Sequence, residues 1–133
     1  MVVVMQTIIV RKHKSGVLLS LADLLQLMRL KDIISWSFLE ITLNGRGLPF
    51  GMSFDDFEAA TRATTSGFAV SDQEFQAFLK SDFQIIDGVI EAWTGNDPTT
   101  CAVRIDCEDA SQWEISTDLQ EIITKLEQPD LWT

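Results

Sequence analysis

Residues 101–108 read C-A-V-R-I-D-C-E, the most regular alternation of apolar and polar side chains in the chain. A period of two residues is typical of a β-strand that buries one face and leaves the other in water. After a turn at Asp109–Ser111, Trp113 and Ile115 repeat the pattern against Gln112 and Glu114. The sequence therefore predicts two neighbouring strands that share one buried and one polar face.

Further strands are predicted upstream of this pair. Phe83–Ile86 and Val89–Trp93 flank Asp87-Gly88, which is either a type I′ hairpin turn or a glycine bulge inside one strand. Ile34–Leu43 is predicted as one long strand, with a bulge or cover on both sides where its apolar face switches at Phe38–Leu39. Met1–Arg11 is apolar on both faces, a pattern typical of a central strand.

Four helices are predicted from apolar spacing and capping residues. The first, Val17–Leu30, is Leu-rich and should be widely buried or meet a partner. Ser53 is predicted to cap a short helix, and Ser71 with Glu74 forms a capping box for the next one. Thr117 and Gln120 form a capping box for the last helix, which Pro129 ends. Its core-facing residues are Leu119, Ile122, Ile123 and Leu126.

The order of these elements indicates an α+β protein. We expect an antiparallel-rich sheet of about four to six strands with helices packed mainly on one face, because the C-terminal strands have a polar side that must stay in water. Residues 1–133 are predicted to form a single domain, since a chain of this length can bury a core without metal or disulfides.

The net charge of −10 is distributed unevenly along the chain. Residues 1–50 contain six basic and three acidic side chains, whereas residues 51–133 contain four basic and seventeen acidic ones. A polyanion repels nucleic acid and anionic membranes, so neither is expected as the main ligand. The acidic C-terminal half favours a basic protein partner, with a merely solvated acidic surface as the alternative.

The cysteines and the apolar segments bear on the compartment. Cys101 and Cys107 are roughly 20 Å apart in an extended strand, too far for a disulfide, and two free inward-facing thiols are typical of a reducing compartment. The Leu-rich stretch 17–30 is interrupted by Asp23 and followed by no small-residue cleavage site, so no signal peptide is expected. It is also too short to span a bilayer. The cytoplasm is therefore the expected location.

Twenty carboxylates leave catalysis by a carboxylate pair open, although acidic clusters of this kind are usually solvated surfaces. The other residue types that catalysis or metal binding would need are scarce. His13 is the only histidine and lies between cations in a predicted surface loop, so neither a catalytic triad nor a His-based zinc site is expected. Asp106–Asp109 lacks the pattern of a calcium loop, and Asn44–Gly51 lacks the spacing of a phosphate-binding loop. We predict no catalytic residue, no metal and no cofactor, and hence no enzyme.

Carboxylates concentrate on the predicted polar face of the late strands. Asp106 and Glu108 should point outward there, with Glu114 beside them on the next strand. Like charges on adjacent strands destabilise a sheet, a cost that a cationic partner offsets. Trp36, Trp93 and Trp113 are expected in the core, whereas Trp132 near the C-terminus suits either a contact surface or a docked tail. The predicted partner-binding residues are Asp87, Glu91, Asp106, Glu108, Asp109, Glu114 and Trp132.

Three functions are compatible with these features. The first is a small acidic module that neutralises a basic protein, by analogy with bacterial immunity proteins that inhibit nuclease toxins; size, charge and the lack of catalytic residues support it, and no motif does. The second is a subunit or adaptor that docks or oligomerises through helix 17–30, with monomer and homodimer both open. The third is a small-ligand binder or enzyme that uses the region around Trp36, Arg46 and the Phe-rich helices.

Overall fold

The structure, a computed structural model, describes residues 5–10, 13–14, 17–95 and 100–127, with the backbone alone at 13–14 and 17–18. The strands are β1 (Gln6–Val10), β2 (His13–Lys14), β3 (Val17–Leu18), β4 (Ser35–Gly45), β5 (Phe68–Ser71), β6 (Phe83–Trp93), β7 (Cys101–Glu108) and β8 (Gln112–Thr117). The α-helices are α1 (Leu21–Met28), α2 (Phe54–Arg62), α3 (Asp72–Leu79) and α4 (Gln120–Glu127), and a 3₁₀ turn spans Pro49–Gly51.

Six of the strands form one antiparallel sheet in the order β1-β8-β7-β6-β4-β5, and β2 pairs with β3 separately. All four helices pack on the same face of this sheet and contribute to one core. Their buried apolar residues are Leu21, Leu24 and Met28 of α1, Phe57 of α2, Phe75 and Phe78 of α3, and Ile122, Ile123 and Leu126 of α4. The predicted α+β class, with helices on one face, is confirmed.

Phe38 of β4 lies at the centre of the core. Its ring centroid is 5.3–5.7 Å from those of Phe50, Phe57, Phe75 and Phe78. Trp36 stacks on Phe75 with centroids 3.8 Å apart, and its indole N–H donates to Asp72 at 2.8 Å. Aromatic pairs contribute about 0.5–1.5 kcal/mol each beyond their burial, so these contacts fix α2 and α3 against β4.

A bulge in β4 explains the switch of its apolar face. Glu40 has a φ of 51°, and the pairing with β6 shifts between Leu39 and Thr42. Ile41 is therefore buried on the same side of the sheet as Phe38, although strict alternation would have placed it on the opposite side. Of the two alternatives offered for this switch, the bulge is confirmed.

Asp87 and Gly88 lie inside β6, which continues as a single strand to Trp93. The hairpin alternative for this dipeptide is therefore wrong, and the pairing irregularity between β6 and β4 occurs here. A Cβ atom at Gly88 would lie 2.6 Å from Cδ1 of Ile41 and 2.8 Å from its Cα. The glycine thus allows β6 to pass close to the bulge in β4.

β1 lies at the edge of the sheet and pairs with β8 alone, so the prediction of a central strand is wrong. Its two faces are apolar for different reasons. Val10 is buried in the core, whereas Ile9 is 49% exposed on the side that no described helix covers. Residues 1–4 and 11 of the predicted strand lie outside the described residues.

The first helix begins at Leu21 rather than at Val17, which lies in β3. Ser20 defines the start, because its Oγ accepts a hydrogen bond from the backbone N–H of Asp23 at 3.1 Å. Arg29 defines the end by adopting a left-handed conformation with φ 51°. Leu21, Leu24 and Met28 are buried, whereas Leu25, Leu27 and Leu30 are only partly buried. The wide burial predicted for this segment is thus met only in part.

Two of the three predicted caps are confirmed. Ser53 accepts from Asp56 N, and Ser71 and Glu74 form the reciprocal bonds of a capping box. The box predicted for Thr117 and Gln120 is wrong. The Thr117 hydroxyl is buried, where it donates to Ala102 O and accepts from Leu119 N. Pro129, the predicted end of this helix, lies outside the described residues.

α2 covers a free edge of β4. The short strand β5, which the sequence did not predict, pairs only with Ser35–Phe38 of β4. Beyond that point side chains of α2 replace a strand neighbour: Thr61 Oγ1 accepts from Ile41 N at 3.1 Å, and Arg62 Nη1 donates to Ile41 O at 2.8 Å. Covering an unpaired edge in this way prevents association with other strands.

Replacing Thr61 by valine keeps the side-chain volume but removes the acceptor for the Ile41 N–H at a position that is 1% exposed. We expect Thr61→Val to lower the free energy of unfolding by about 1–3 kcal/mol, the cost of an unsatisfied buried donor. Urea denaturation measures this difference. Thr65→Val, at an exposed position, is the matched control and should change little. Equal stability of the two variants would contradict the role given to Thr61.

Candidate functional site

The hairpin of β7 and β8 presents three of the predicted carboxylates on one surface. Asp106 pairs with Glu114 across the hairpin, and Glu108 pairs with Gln112. The residues that alternate with them, such as Ile105 and Ile115, are buried on the helical side. The outward direction predicted for Asp106, Glu108 and Glu114 is therefore confirmed. We call this side of the sheet, over which no described helix packs, the open face.

Glu91 of β6 lies on the open face as well, directly opposite Arg104 of β7. Arg104 Nη1 is 3.9 Å from Glu91 Oε2, the only ion pair among the side chains that the structure describes. Because the Arg104 side chain is 47% exposed and the distance is long, this pair adds little stability. Asp106, Glu108 and Glu114 form no ion pair with any cation of the described chain.

Asp106 has an unfavourable environment for its charge. Partial burial raises the pKa of Asp106 above its ordinary value, and the neighbouring Glu114 carboxylate raises it further. Arg104 opposes these effects, whereas Asp87 and Glu40 add smaller contributions in the same direction as Glu114. The charged form of Asp106 is therefore less favourable in the folded protein than in water.

Asp87 and Asp109 lie at the end of the open face, where they shape the turn between β7 and β8. Asp87 Oδ1 accepts from the backbone N–H of Asp109 at 2.8 Å, and Ala110 N donates to Ile86 O at 2.8 Å. Asp109 and Ala110 both have positive φ, of 50° and 52°. Among the predicted site residues, Asp87 thus stabilises the turn between β7 and β8. Trp132 lies outside the described residues.

Cys101 does not point inward, contrary to the prediction. A pairing shift between β6 and β7 next to it turns its thiol towards the open face, where Sγ lies 3.9 Å from Glu91 Oε2. Cys107 is buried on the helical side as expected. Both thiols are free, and burial is the main cause that raises the pKa of each to about 11. At neutral pH neither is a ready nucleophile.

The open face also carries apolar side chains that sequence reasoning missed. Val89 pairs with Leu39 on one side and Asp106 on the other, and it is only 8% exposed although no described helix covers it. Trp93 is half-buried at the far end of the same strand, so its predicted place in the core is wrong. The signal that could have revealed them is the alternation along β6. Val89, Glu91 and Trp93 are two residues apart and therefore lie on the same face of the strand.

The other candidate sites gain no support from the geometry. Trp36 and Arg46 are ten residues apart in and after the extended β4, roughly 33 Å, so they form no joint ligand site. Within the described residues no group of His, Cys, Asp and Glu is arranged to hold a metal ion.

The leucines of α1 are either buried or partly buried, and Leu25 and Leu27 remain partly accessible. Leu21, Leu24 and Met28 of α1 are buried, and the exposed positions of the helix are Ala22, Asp23 and Gln26. None of the described helices combines the length and the hydropathy that crossing a membrane requires.

Comparison with known proteins identifies no relative. The chain matches no protein-family model, no curated protein and no solved structure. Any function proposed for the chain therefore rests on the geometry of its own surfaces.

Proposed function

We propose that the chain is a small acidic binding module whose open face covers a basic protein, most directly as an immunity-type inhibitor of a nuclease toxin. The observation that carries this proposal is the cross-strand pair of Asp106 and Glu114, which lacks a cationic partner in the described chain. Two carboxylates directly opposite each other on adjacent strands destabilise a sheet, so the pair contributes nothing to the stability of the fold. A partner's arginine or lysine placed between them would turn the repulsion into attraction.

The apolar side chains next to the carboxylates support a protein partner rather than a free cation. Val89, Leu39 and Trp93 lie beside the acidic row of Glu91, Asp106 and Glu114 on the same sheet surface. Protein interfaces commonly combine an apolar centre that includes aromatic residues with a charged periphery. A partner that presents arginines around an apolar patch would match both parts of the open face.

A nuclease toxin fits this description because its substrate cleft has to be cationic to hold nucleic acid. Carboxylates that cover such a cleft imitate phosphates and exclude the substrate, so inhibition needs no catalytic residue, metal or cofactor. Steering by the net charge of −10 would speed the encounter. We propose a cytoplasmic location, where free thiols such as Cys101 persist.

The cost of the Asp106 charge is testable without the partner. We expect Asp106→Asn to raise the free energy of unfolding at pH 7 by a few tenths to about 1 kcal/mol, because it removes a like-charge contact with Glu114 that solvent only partly screens. Since the folded-state pKa of Asp106 is raised, the penalty exists only above that pKa. The gain should therefore shrink as the pH falls through it, as measured by urea denaturation across pH.

Asp82→Asn, at an exposed position outside the open face, is the control for the loss of one negative charge. An Asp106→Asn protein that is less stable than the parent at pH 7 would remove the main support for the proposal.

The binding surface is tested with two variants of equal charge. One neutralises the open face (Asp106→Asn, Glu108→Gln and Glu114→Gln), and the other neutralises exposed carboxylates elsewhere (Asp82→Asn, Asp118→Asn and Glu127→Gln). A basic nuclease captured at low salt should bind the parent 1:1, lose its activity in the complex and be released as salt rises. We expect the first variant to bind at least about tenfold more weakly than the second by titration calorimetry.

Equal affinity of the two variants would show that the partner sits elsewhere on the surface. Binding that does not respond to salt would contradict the electrostatic basis of the proposal.

A further inference from the structure

A groove on the helical side of the molecule, away from the open face, has features of a small-molecule site. It lies between α1, α3 and the segment 29–33, with a volume of about 440 Å³. This is within the range of about 300–1,000 Å³ typical of ligand sites. The apolar residues of its lining are Ala22, Leu25, Leu30, Ile33, Trp36 and Leu79.

Two cations border this groove and have no partner among the residues that the structure describes. Arg29 follows the last residue of α1 and Lys80 follows the last residue of α3, and both side chains are exposed. Neither side chain forms an ion pair or hydrogen bond with the described residues, although the chain as a whole has twice as many acidic as basic groups. The backbone of Arg29 is left-handed, with a φ of 51°, a conformation that is unfavourable for a residue other than glycine.

The carboxylates in the same lining do not neutralise these cations. Asp72 Oδ1 already accepts from Trp36 Nε1 at 2.8 Å and Gln76 Nε2 at 3.3 Å, and the residue lies in the first turn of α3, where the helix dipole stabilises a negative charge. Asp32 is exposed and forms no ion pair within the described chain. An incoming anion would therefore find Arg29 and Lys80 available.

We infer that this groove binds a small amphipathic anion, with its apolar body between α1 and α3 and its acidic group between Arg29 and Lys80. The site is independent of the proposed docking of a basic protein, since the two surfaces lie on opposite faces of the sheet and have opposite charge preferences. Like the small-ligand site considered from the sequence, this groove includes Trp36, but its cations are Arg29 and Lys80 instead of Arg46.

The test uses anilinonaphthalene sulfonate, an aromatic anion that fluoresces when bound in an apolar site, and N-phenyl-naphthylamine, its uncharged counterpart. The folded full-length chain should bind the anion with saturable 1:1 stoichiometry and the neutral dye roughly tenfold more weakly. Arg29→Gln and Lys80→Gln should each weaken binding of the anion about fivefold and leave the neutral dye unaffected. The single variants Arg46→Gln and Lys125→Gln are the controls for the loss of one positive charge.

Ala22→Trp is a second kind of variant, designed to fill the groove from an exposed lining position while both cations are retained. It should abolish binding of both dyes while near-ultraviolet circular dichroism and cooperative unfolding stay intact. Unchanged binding in Ala22→Trp, or equal loss in the Arg46 and Lys125 controls and the groove variants, would overturn the site. Absence of saturable binding to the folded parent would overturn it as well, and would leave Arg29 and Lys80 as cations that serve only the C-terminal ends of their helices.

Discussion

The acidity of the open face depends on one constraint, the register of β7 between β6 and β8. Ile105 pairs with Ile90 on one side and Ile115 on the other, and all three are almost completely buried. A shift by one residue would bury Asp106 and expose the isoleucines, so the core fixes the register strongly. The position of Asp106 opposite Glu114 follows from this register, and the apolar core therefore holds two like charges together.

The helices determine what that face can do. Because α1 to α4 all pack on the other side, the central strands of the sheet keep one surface available in the described structure. Val89 and Trp93 are sheltered there by neighbours on the sheet itself, and Asp106 lies directly opposite Val89. The same placement of Asp106 opposite Glu114 lowers the stability of the free protein and, in our proposal, strengthens the binding of a basic partner. Functional sites commonly reduce stability in this way.

Local sequence signals predicted much of the fold. Period-two alternation located β7 and β8, and Ser53 and Ser71 marked the starts of two helices, because both signals depend on a few adjacent residues. The errors arose where distant pairing decides the outcome. β1 is apolar throughout, yet it became an edge strand, since strand order is a property of the whole sheet. Cys101 faces outward because a pairing shift beside it changes its direction, which alternation alone cannot reveal.

The candidate site shows the same division. Asp106, Glu108 and Glu114 were found from the sequence because they belong to one hairpin with a regular period. Leu39 and Val89 were missed because they come next to each other only through the pairing of β4 with β6, close to the bulge at Glu40. The groove residues Arg29 and Lys80 are fifty-one positions apart and come to line one groove only through the packing of α1 and α3.

The central claim is that Asp106 carries an unfavourable charge which a basic partner relieves, and carboxyl-detected NMR titration tests it most directly. In the free protein the Asp106 carboxyl should titrate above the ordinary aspartate value, and in the complex it should titrate below its free-state value. A carboxyl that titrates at or below the ordinary aspartate value in the free protein, or that does not respond to the partner, would contradict the account.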